Sequence, residues 1–270
     1  MGLYDIIDEI AEKQVMKTET GDNRIFGVVL GVVTDNYDAA MKGRVCVTVP
    51  VRDENANNLK WARVAMPSSG KEWGHYFLPE IGDQVLLVFE QGNIEKPYVI
   101  GCIPKESDKF FKGTVQQNNE LKRIVTKHGS TLEFEDAVQG DGEEDKIALY
   151  TPGSKHKLVL DNQKKQILLS DEKGENEVEL RTETGEMRVK AKSKLRIEVG
   201  DSVSIVMNGD KGSVSIECNK LKVKAQDSID MNSNAKGKIA AANLTLSAST
   251  AFKAESGGTA QISGTPISIG

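Results

Sequence analysis

Apolar and polar positions alternate along most of this chain, and the rhythm of the alternation changes as the sequence proceeds. At the start, Leu3, Ile6, Ile7, Ile10 and Ala11 recur at helical spacing with acidic residues early, which predicts a short amphipathic helix within residues 1–24. Its apolar stripe needs a surface, either its own chain's or a neighbouring subunit's. From residue 25 to 105 the period drops to two, and five short strands are predicted: FGVVLGVV, GRVCVTVP, KWARVAMP, DQVLLVFE and KPYVIGCI. Val45, Val47 and Val49 alternate with Arg44, Cys46 and Thr48, the pattern of a half-buried strand. Turn-forming clusters separate the five, at 34–42, 53–58, 79–83 and 91–96. Five strands this short within a small domain suit a closed barrel of the oligonucleotide/oligosaccharide-binding type, an OB-fold.

Residues 106–128 are polar with scattered apolar anchors and are expected to be an extended connector. From 129 to 270 the chain is a succession of short alternating segments with polar corners. Leu195, Ile197 and Val199 recur eight residues on as Val203, Ile205 and Met207, and Leu221, Val223 and Ala225 recur as Ile229, Met231 and Ser233. The same offset links Leu244, Leu246 and Ala248 to Phe252, Ala254 and Ser256, then to Ala260 and Ile262. After Tyr150 the only aromatic residue is Phe252, so one copy has little with which to build a core. Strands of one sidedness then have to stack around an axis shared by several chains. Three chains, one per face of a prism, is the simplest closed solution, so an intertwined triple-stranded β-helix in a homotrimer is expected. A disordered polar tail would not keep an eight-residue alternation for so long. The fold class is therefore all-β, with an OB barrel followed by a β-helix needle.

Composition narrows the chemistry. The chain has 270 residues, 38% of them hydrophobic, and a net charge of −5, which gives no global attraction to nucleic acid. No apolar run approaches the roughly 20 residues of a membrane helix, and the acidic N-terminus is unlike a secretory signal. Cys46, Cys102 and Cys218 are widely spaced, with no CxxC pair to suggest a zinc site or a disulfide framework. His75, His128 and His156 form neither HxH nor HExxH, so no metal and no cofactor is expected. Ser68-Ser69-Gly70-Lys71 lacks the Walker A pattern, because Ala65 and Glu72 stand where glycine and Ser or Thr are required. Glu133 with Glu135, and Glu143 with Asp145, lie on a strand's outer face and in a polar loop, not across a cleft as glycoside hydrolysis requires. No catalytic residue is expected, and the protein is read as not an enzyme. An OB barrel raises nucleic-acid binding as the alternative function, with the later repeats as a tail. Trp61, Trp73, Tyr76 and Phe77 are interleaved with Glu72, Glu80, Asp83 and Glu90, however, which disfavours a basic groove and assigns the aromatics to barrel core and chain-to-chain contacts.

The stretch MKGRVCVTVP, then KWARVAMPSSGKEWGHYFLPEIGDQVLLVFEQGNIEKPYVIGCI, resembles the OB domain of phage baseplate central spikes and of the VgrG spikes of type VI secretion, the baseplate assembly protein V family. Residues 61–67, Trp73-Gly74, Leu78-Pro79-Glu80-Ile81-Gly82-Asp83 and Pro97-Tyr98-Val99-Ile100-Gly101 carry the likeness, and RIVTKHGSTLEFED is similar to the family's transition into its β-helix. The resemblance implies a structural central spike of a contractile injection apparatus, assembled in the bacterial cytoplasm. The parent particle is a phage, a tailocin or an extracellular injection system, and the spike pierces a target cell envelope. It implies a short form, with no hub domain before the barrel and no lysozyme domain after it. Such a form docks on a separate baseplate hub protein, with Leu3, Ile6, Ile7 and Ile10 as the docking residues. At the other end charge is sparse after Ile239, and a β-helix stopping in mid-pattern exposes open strand edges. With no histidine after His156 to hold a metal tip, a PAAR-type tip protein is expected on Pro266, Ile267, Ser268, Ile269 and Gly270.

Overall fold

In the computed structural model, residues 24–50 and 60–268 are described. Among them are fifteen strands, one short α-helix and two single-turn 3-10 helices, so the chain is all-β in character. It divides into two compact units, Met1–Ile197 with Val206–Ser215, and Glu198–Ile205 with Ile216–Gly270.

The first unit opens with five strands: β1 Val29–Asp35, β2 Arg44–Thr48, β3 Lys60–Val64, β4 Gln84–Phe89 and β5 Pro97–Cys102. They close into a barrel in the order β1-β2-β3-β5-β4, the expected OB arrangement. Only the β3–β5 pairing is parallel, with Arg63 opposite Tyr98 and Val64 opposite Val99. Register shifts between Val33 and Asp35, and between Leu86 and Leu87, bend the ribbon where closure needs it. The predicted alternation is realised in β4, where Val85, Leu87 and Phe89 are buried and Leu86 and Val88 only partly so. Together with Val33, Val45, Val47, Val49, Ala62, Ile94 and Val99 they form the core. Cys46 is also buried, whereas Cys102 is exposed and Cys218 half-buried.

Valine dominates because a barrel of five short strands has a narrow interior that branched side chains fill without long rotamers. Gly31 shows how tight it is: a Cβ there would lie 2.5 Å from Leu87 Cδ1. Of the aromatics assigned to barrel core and chain-to-chain contacts, Trp61 is half-buried and Trp73, Tyr76 and Phe77 are exposed, so the core's aromatic residue is Phe89 instead. The motif Leu78–Asp83 is a turn that stitches the barrel shut. Gly82 takes a φ of 93°, its N–H donates to the Val33 carbonyl at 2.8 Å, and the Asp83 carboxylate accepts from the Glu80 N–H at 2.9 Å.

The stretch expected to be an extended connector contains a short helix, α1 Lys109–Thr114, and a strand, β6 Leu121–Val125. That strand begins an antiparallel meander with β7 Thr131–Glu135, β8 Lys146–Tyr150, β9 His156–Asp161, β10 Gln166–Asp171, β11 Glu177–Arg181 and β12 Glu186–Lys190. The strands pair in chain order, so the ladder from 121 to 190 is an open sheet built within one chain. Its corners are true hairpins. Asp171 accepts from the N–H groups of Glu175 and Asn176 at 2.9 and 3.1 Å, and Gly185, with φ 70°, donates to the Arg181 carbonyl at 2.9 Å. The Asn176 amide bonds the Asp171 carboxyl, and with the loop N–H groups holds it below the ordinary carboxylate range.

Three further strands, β13 Lys194–Val199, β14 Val203–Asn208 and β15 Ser213–Glu217, form a sheet in that order. In the second unit, residues 219–268 carry no strand ladder at all. The backbone bends at 226–227, 234–235, 242–243, 249–250, 257–258 and 265–266, and every residue from 221 to 268 is exposed. The spacing between bends is eight, save one step of seven, so the predicted octads appear as corners without partners. Two corners share one device: the hydroxyls of Ser233 and Ser256 accept from the N–H two residues on and donate to the carbonyl three residues on.

Candidate functional site

The surfaces that this fold presents are broad faces, and three of them stand out. The first is a hairpin on the barrel. Ser69 bridges Gly74, the Gly70 N–H donates to the Trp73 carbonyl at 2.7 Å and the His75 N–H to the Ser68 carbonyl at 2.9 Å. A Cβ on Gly70 would meet the Trp73 indole at 2.5 Å, so the ring lies over a residue that must lack a side chain. This places Trp73, 67% exposed, beside Tyr76 and Phe77 on the outside of the barrel. The Ser-Ser-Gly-Lys run is thus a hairpin tip and not the strand-to-helix junction of a phosphate loop. An open groove of about 1200 Å³ runs from Tyr76, Phe77 and Leu78 past Phe110 to Val125 and Thr131. Across it, Lys127 pairs with Glu80 at 2.7 Å.

The second surface is one face of the meander. Cross-strand register puts Phe134, Ile147, Leu160, Ile167, Leu180 and Met187 in one row. Ile124, Leu132, Leu149, Leu158, Leu169, Val178 and Val189 form the row beside it. Both rows are apolar without a break, and within the chain Leu149 is 50%, Leu169 53% and Met187 64% exposed. The opposite face reads Arg123, Glu133, Ala148, Val159, Leu168, Glu179 and Arg188, apolar at the centre and ionic at the ends. Arg188 bonds Glu179 at 2.7 Å and Glu177 at 2.9 Å, and Arg181 bonds Glu179 at 3.1 Å. The Arg188 hydrogen bond, then that of Arg181, holds the Glu179 carboxyl below its ordinary range and raises Arg188 in turn. A contiguous apolar face of this extent marks an interaction surface. The two-residue alternation of these strands was legible in the sequence, but their pairing within the chain was not. The hairpin clusters around 162–165, 171–176 and 182–185, spaced by about a strand and a turn, were the signal for it.

The third surface is the run of octads. Pro266, Ile267 and Ser268 lie at its far end, with Ile267 exposed; Ile269 and Gly270 fall outside the described residues, as do Leu3, Ile6, Ile7 and Ile10. Of the expected docking and tip residues, the structure thus describes Pro266, Ile267 and Ser268.

The polar groups considered for chemistry are engaged elsewhere. Glu133 pairs with Arg123 at 2.5 Å, Glu135 with Lys146 at 3.4 Å, and Asp145 accepts from the Ala137 N–H at 2.9 Å. His75 Nδ1 meets the Ser68 hydroxyl at 2.9 Å, and His156 Nδ1 the Thr151 hydroxyl at 3.3 Å. Among the described residues no group of three or more His, Cys, Asp or Glu is arranged to hold a metal ion. No helix among them is long and apolar enough to cross a membrane.

Barrel order, the stitching turn and the aromatic hairpin together define an OB domain with an external aromatic patch. Comparison with known proteins is specific about which kind. Residues 29–103 match the type VI secretion system/phage-baseplate injector OB domain. The chain is similar to the type VI secretion system spike protein VgrG1a of Pseudomonas aeruginosa, 35% identical over 49 residues, which is 18% of this chain and 8% of that protein. It is also similar to VgrG2a of the same organism, 30% identical over 83 residues, covering 30% of this chain and 10% of the relative. The matched segment thus spans a tenth or less of these relatives' length. The barrel is an injector OB domain, and the chain is VgrG-like and baseplate-spike-like through it.

Proposed function

We propose that this protein is the central spike of a contractile phage-tail-like injection apparatus, acting as a homotrimer that docks on the baseplate and is driven through the target cell envelope. The observation that carries the reading is the uncovered apolar face of the meander. Two adjacent apolar rows, one across all seven strands and one across the six from β7 to β12, cannot face water in a working particle, and two more copies around a threefold axis would cover all three faces at once. The octads extend the same logic, since among residues 219–268 the apolar side chains are exposed and the backbone forms no strand ladder in one chain, and an intertwined triple-stranded β-helix would supply both cover and ladder. The domain limits proposed are a docking segment over 1–24, the barrel over 25–105, a connector over 106–128 and the needle over 129–270.

Function is mechanical in this reading. A rod whose ladder is shared among three chains bends only by breaking many bonds together, so stiffness, trimerisation and a capped tip suffice without a catalytic residue or cofactor. The N-terminal residues Leu3, Ile6, Ile7 and Ile10 are proposed to seat on a hub protein, and Pro266 to Gly270 to seat a PAAR-type tip protein. Assembly in a bacterial cytoplasm and release as part of the particle follow from the same role. Sedimentation of the purified chain tests the reading directly: the expected species is a trimer of the 29.4 kDa chain, elongated in electron micrographs. A globular monomer would overturn it, and salt-sensitive binding of single-stranded DNA by such a monomer would favour an OB-type nucleic-acid module instead.

A further inference from the structure

We infer that the octads of the needle stack in one defined register, residue i of one copy against the equivalent position one octad further along a second copy, and that a column of alternating charge, Lys222–Asp230–Lys238, specifies it. The inference rests on the trimeric reading above. Its independent ground is the position of the corners. Counted back from the bends at 226, 234, 242, 249, 257 and 265, the fifth and third residues before each bend are Leu221 and Val223, Ile229 and Met231, Gly237 and Ile239, Leu244 and Leu246, Phe252 and Ala254, Ala260 and Ile262. The inward column is thus small or apolar throughout. The fourth residue before each bend lies on the other side of the strand. That column reads Lys222, Asp230, Lys238, Thr245, Lys253, Gln261. The second residue before each bend, counted from the preceding bend at 219, gives Glu217, Lys224, Asn232, Ala240, Ser247, Glu255 and Ser263.

In a three-faced prism a chain that turns at every corner returns to a given face after three octads. If each octad climbs one strand spacing of about 4.8 Å, the chain comes back roughly 14 Å higher, which leaves room for two other strands on that face. Those strands belong to the other two copies, and each is displaced by one octad from its neighbour. Wherever two charged residues then meet in these outward columns they are opposite in sign: Glu217 meets Lys224, Lys222 meets Asp230, and Asp230 meets Lys238. Stacking of equivalent residues, by contrast, would set Lys222 on Lys222 and Asp230 on Asp230, the arrangement that costs stability. The octads are otherwise so alike that a slip by one unit would still bury apolar side chains, so an outward charge code is what can forbid the slip.

Cross-linking reads the register. On a Cys102→Ser, Cys218→Ser background, the double variant Lys222→Cys, Asp230→Cys places cysteines of different copies on adjacent parallel strands, within the Cα separation of about 4.4–6.8 Å that a disulfide requires. Oxidation is expected to convert the preparation to a covalent trimer, while Lys222→Cys alone gives none. A trimer in sedimentation that fails to cross-link, or that cross-links through Lys222→Cys alone, overturns the register and leaves the spike reading standing. A chain that sediments as a monomer overturns the spike reading and the register with it. A second measurement avoids the disulfide. Asp230→Lys is expected to lower the trimer's melting midpoint at low salt, and adding Lys222→Asp with Lys238→Asp to restore it. Equal midpoints for all three proteins count against the column.

Discussion

The barrel and the strands that follow it are made from the same kinds of residue, yet one is complete in a single chain and the other is not. In the barrel, Val33, Val45, Val85, Leu87 and Val99 are shut away from water by the chain's own five strands. In the meander, rows of leucine, isoleucine and valine of equal quality lie on an open sheet, and in the octads nothing is covered. Alternation by two gives a strand two faces; only closure decides whether the apolar one is satisfied. A five-stranded ribbon that bends at its bulges closes on itself, whereas a straight meander of seven strands cannot. Self-sufficiency thus separates a barrel that covers its own core from strands that leave their apolar face open.

The strongest way to break this contrast is to charge the open face. Leu149→Asp with Leu169→Asp places carboxylates in the middle of the apolar row, where three copies would have to bury six of them unpaired. The expected outcome is complete loss of the trimer in light scattering, with the barrel's own strand signal retained. A trimer that survives the double change would show that this face is not the assembly surface.

Leu87→Ala sharpens the same contrast from the other side. Leu87 is fully buried, in contact with the space that Gly31 leaves open, and removing its side chain is expected to cost about 3 kcal/mol of barrel stability. Chain count should not change, because the barrel's core is internal. Denaturant titration of the barrel transition checks the size, and sedimentation checks the independence.

How much of this was readable in the amino acids follows the same division. The barrel was legible because each strand is bounded by turn residues and its inward positions, Val45, Val47, Val49, Val85 and Leu87, repeat at two. The turn at Leu78–Asp83 was visible as a motif, and its structure supplies the reason: the Asp83 carboxylate, Gly82's left-handed φ and the Val33 carbonyl act together. Of the two places read for the aromatics, barrel core and chain-to-chain contacts, the core fails for Trp73, Tyr76 and Phe77, and Gly70 beneath the indole is the residue that tells that the hairpin carries Trp73 outward. The meander was read as octads because its alternation has the same period. What differs is the turn chemistry, since Asp171 and Gly185 build tight reversals where the octads have only bends. From 219 onward the corner spacing of eight, save one step of seven, was legible because a repeat constrains many positions at once, whereas 195–199 and 203–207, read as successive octads, lie in the paired strands β13 and β14.

Acid offers a smaller and more local effect, at the ionic end of the meander's outer face. Glu179 is held below its ordinary value of 4.5 by Arg188 first and Arg181 second. A carboxyl depressed in the folded state stabilises that state above its ordinary value and loses the contribution as pH falls through the folded value. Pairing of β11 with β12 is therefore expected to weaken as pH drops below 4.5, seen as faster amide exchange at Val178 and Val189. In Arg188→Gln the carboxyl returns toward its ordinary value, so the exchange rates of variant and parent should differ above 4.5 and converge in acid. A gap that stays constant with pH would mean that Arg188 acts by packing alone.

The smallest effect on stability, and the most selective on function, is expected at the far end. Deleting residues 265–270 removes the last corner, at 265–266, and the residues that follow it, and leaves every ladder bond of the barrel and meander in place. In the proposed trimer that is less than one octad per chain, so the melting midpoint should stay close to the parent's. The open strand edges would then end one unit lower and without Pro266 and Ile267, and a PAAR-type partner that reads those residues should no longer bind in a pull-down. Unchanged capture by the shortened chain would place the tip's recognition elsewhere on the needle. A lost cap together with a large drop in melting would mean that the last octad closes the rod itself. The two measurements made together therefore separate a surface kept open for a partner from one that the needle completes alone, which is the distinction between the barrel and the strands beyond it carried to its last residues.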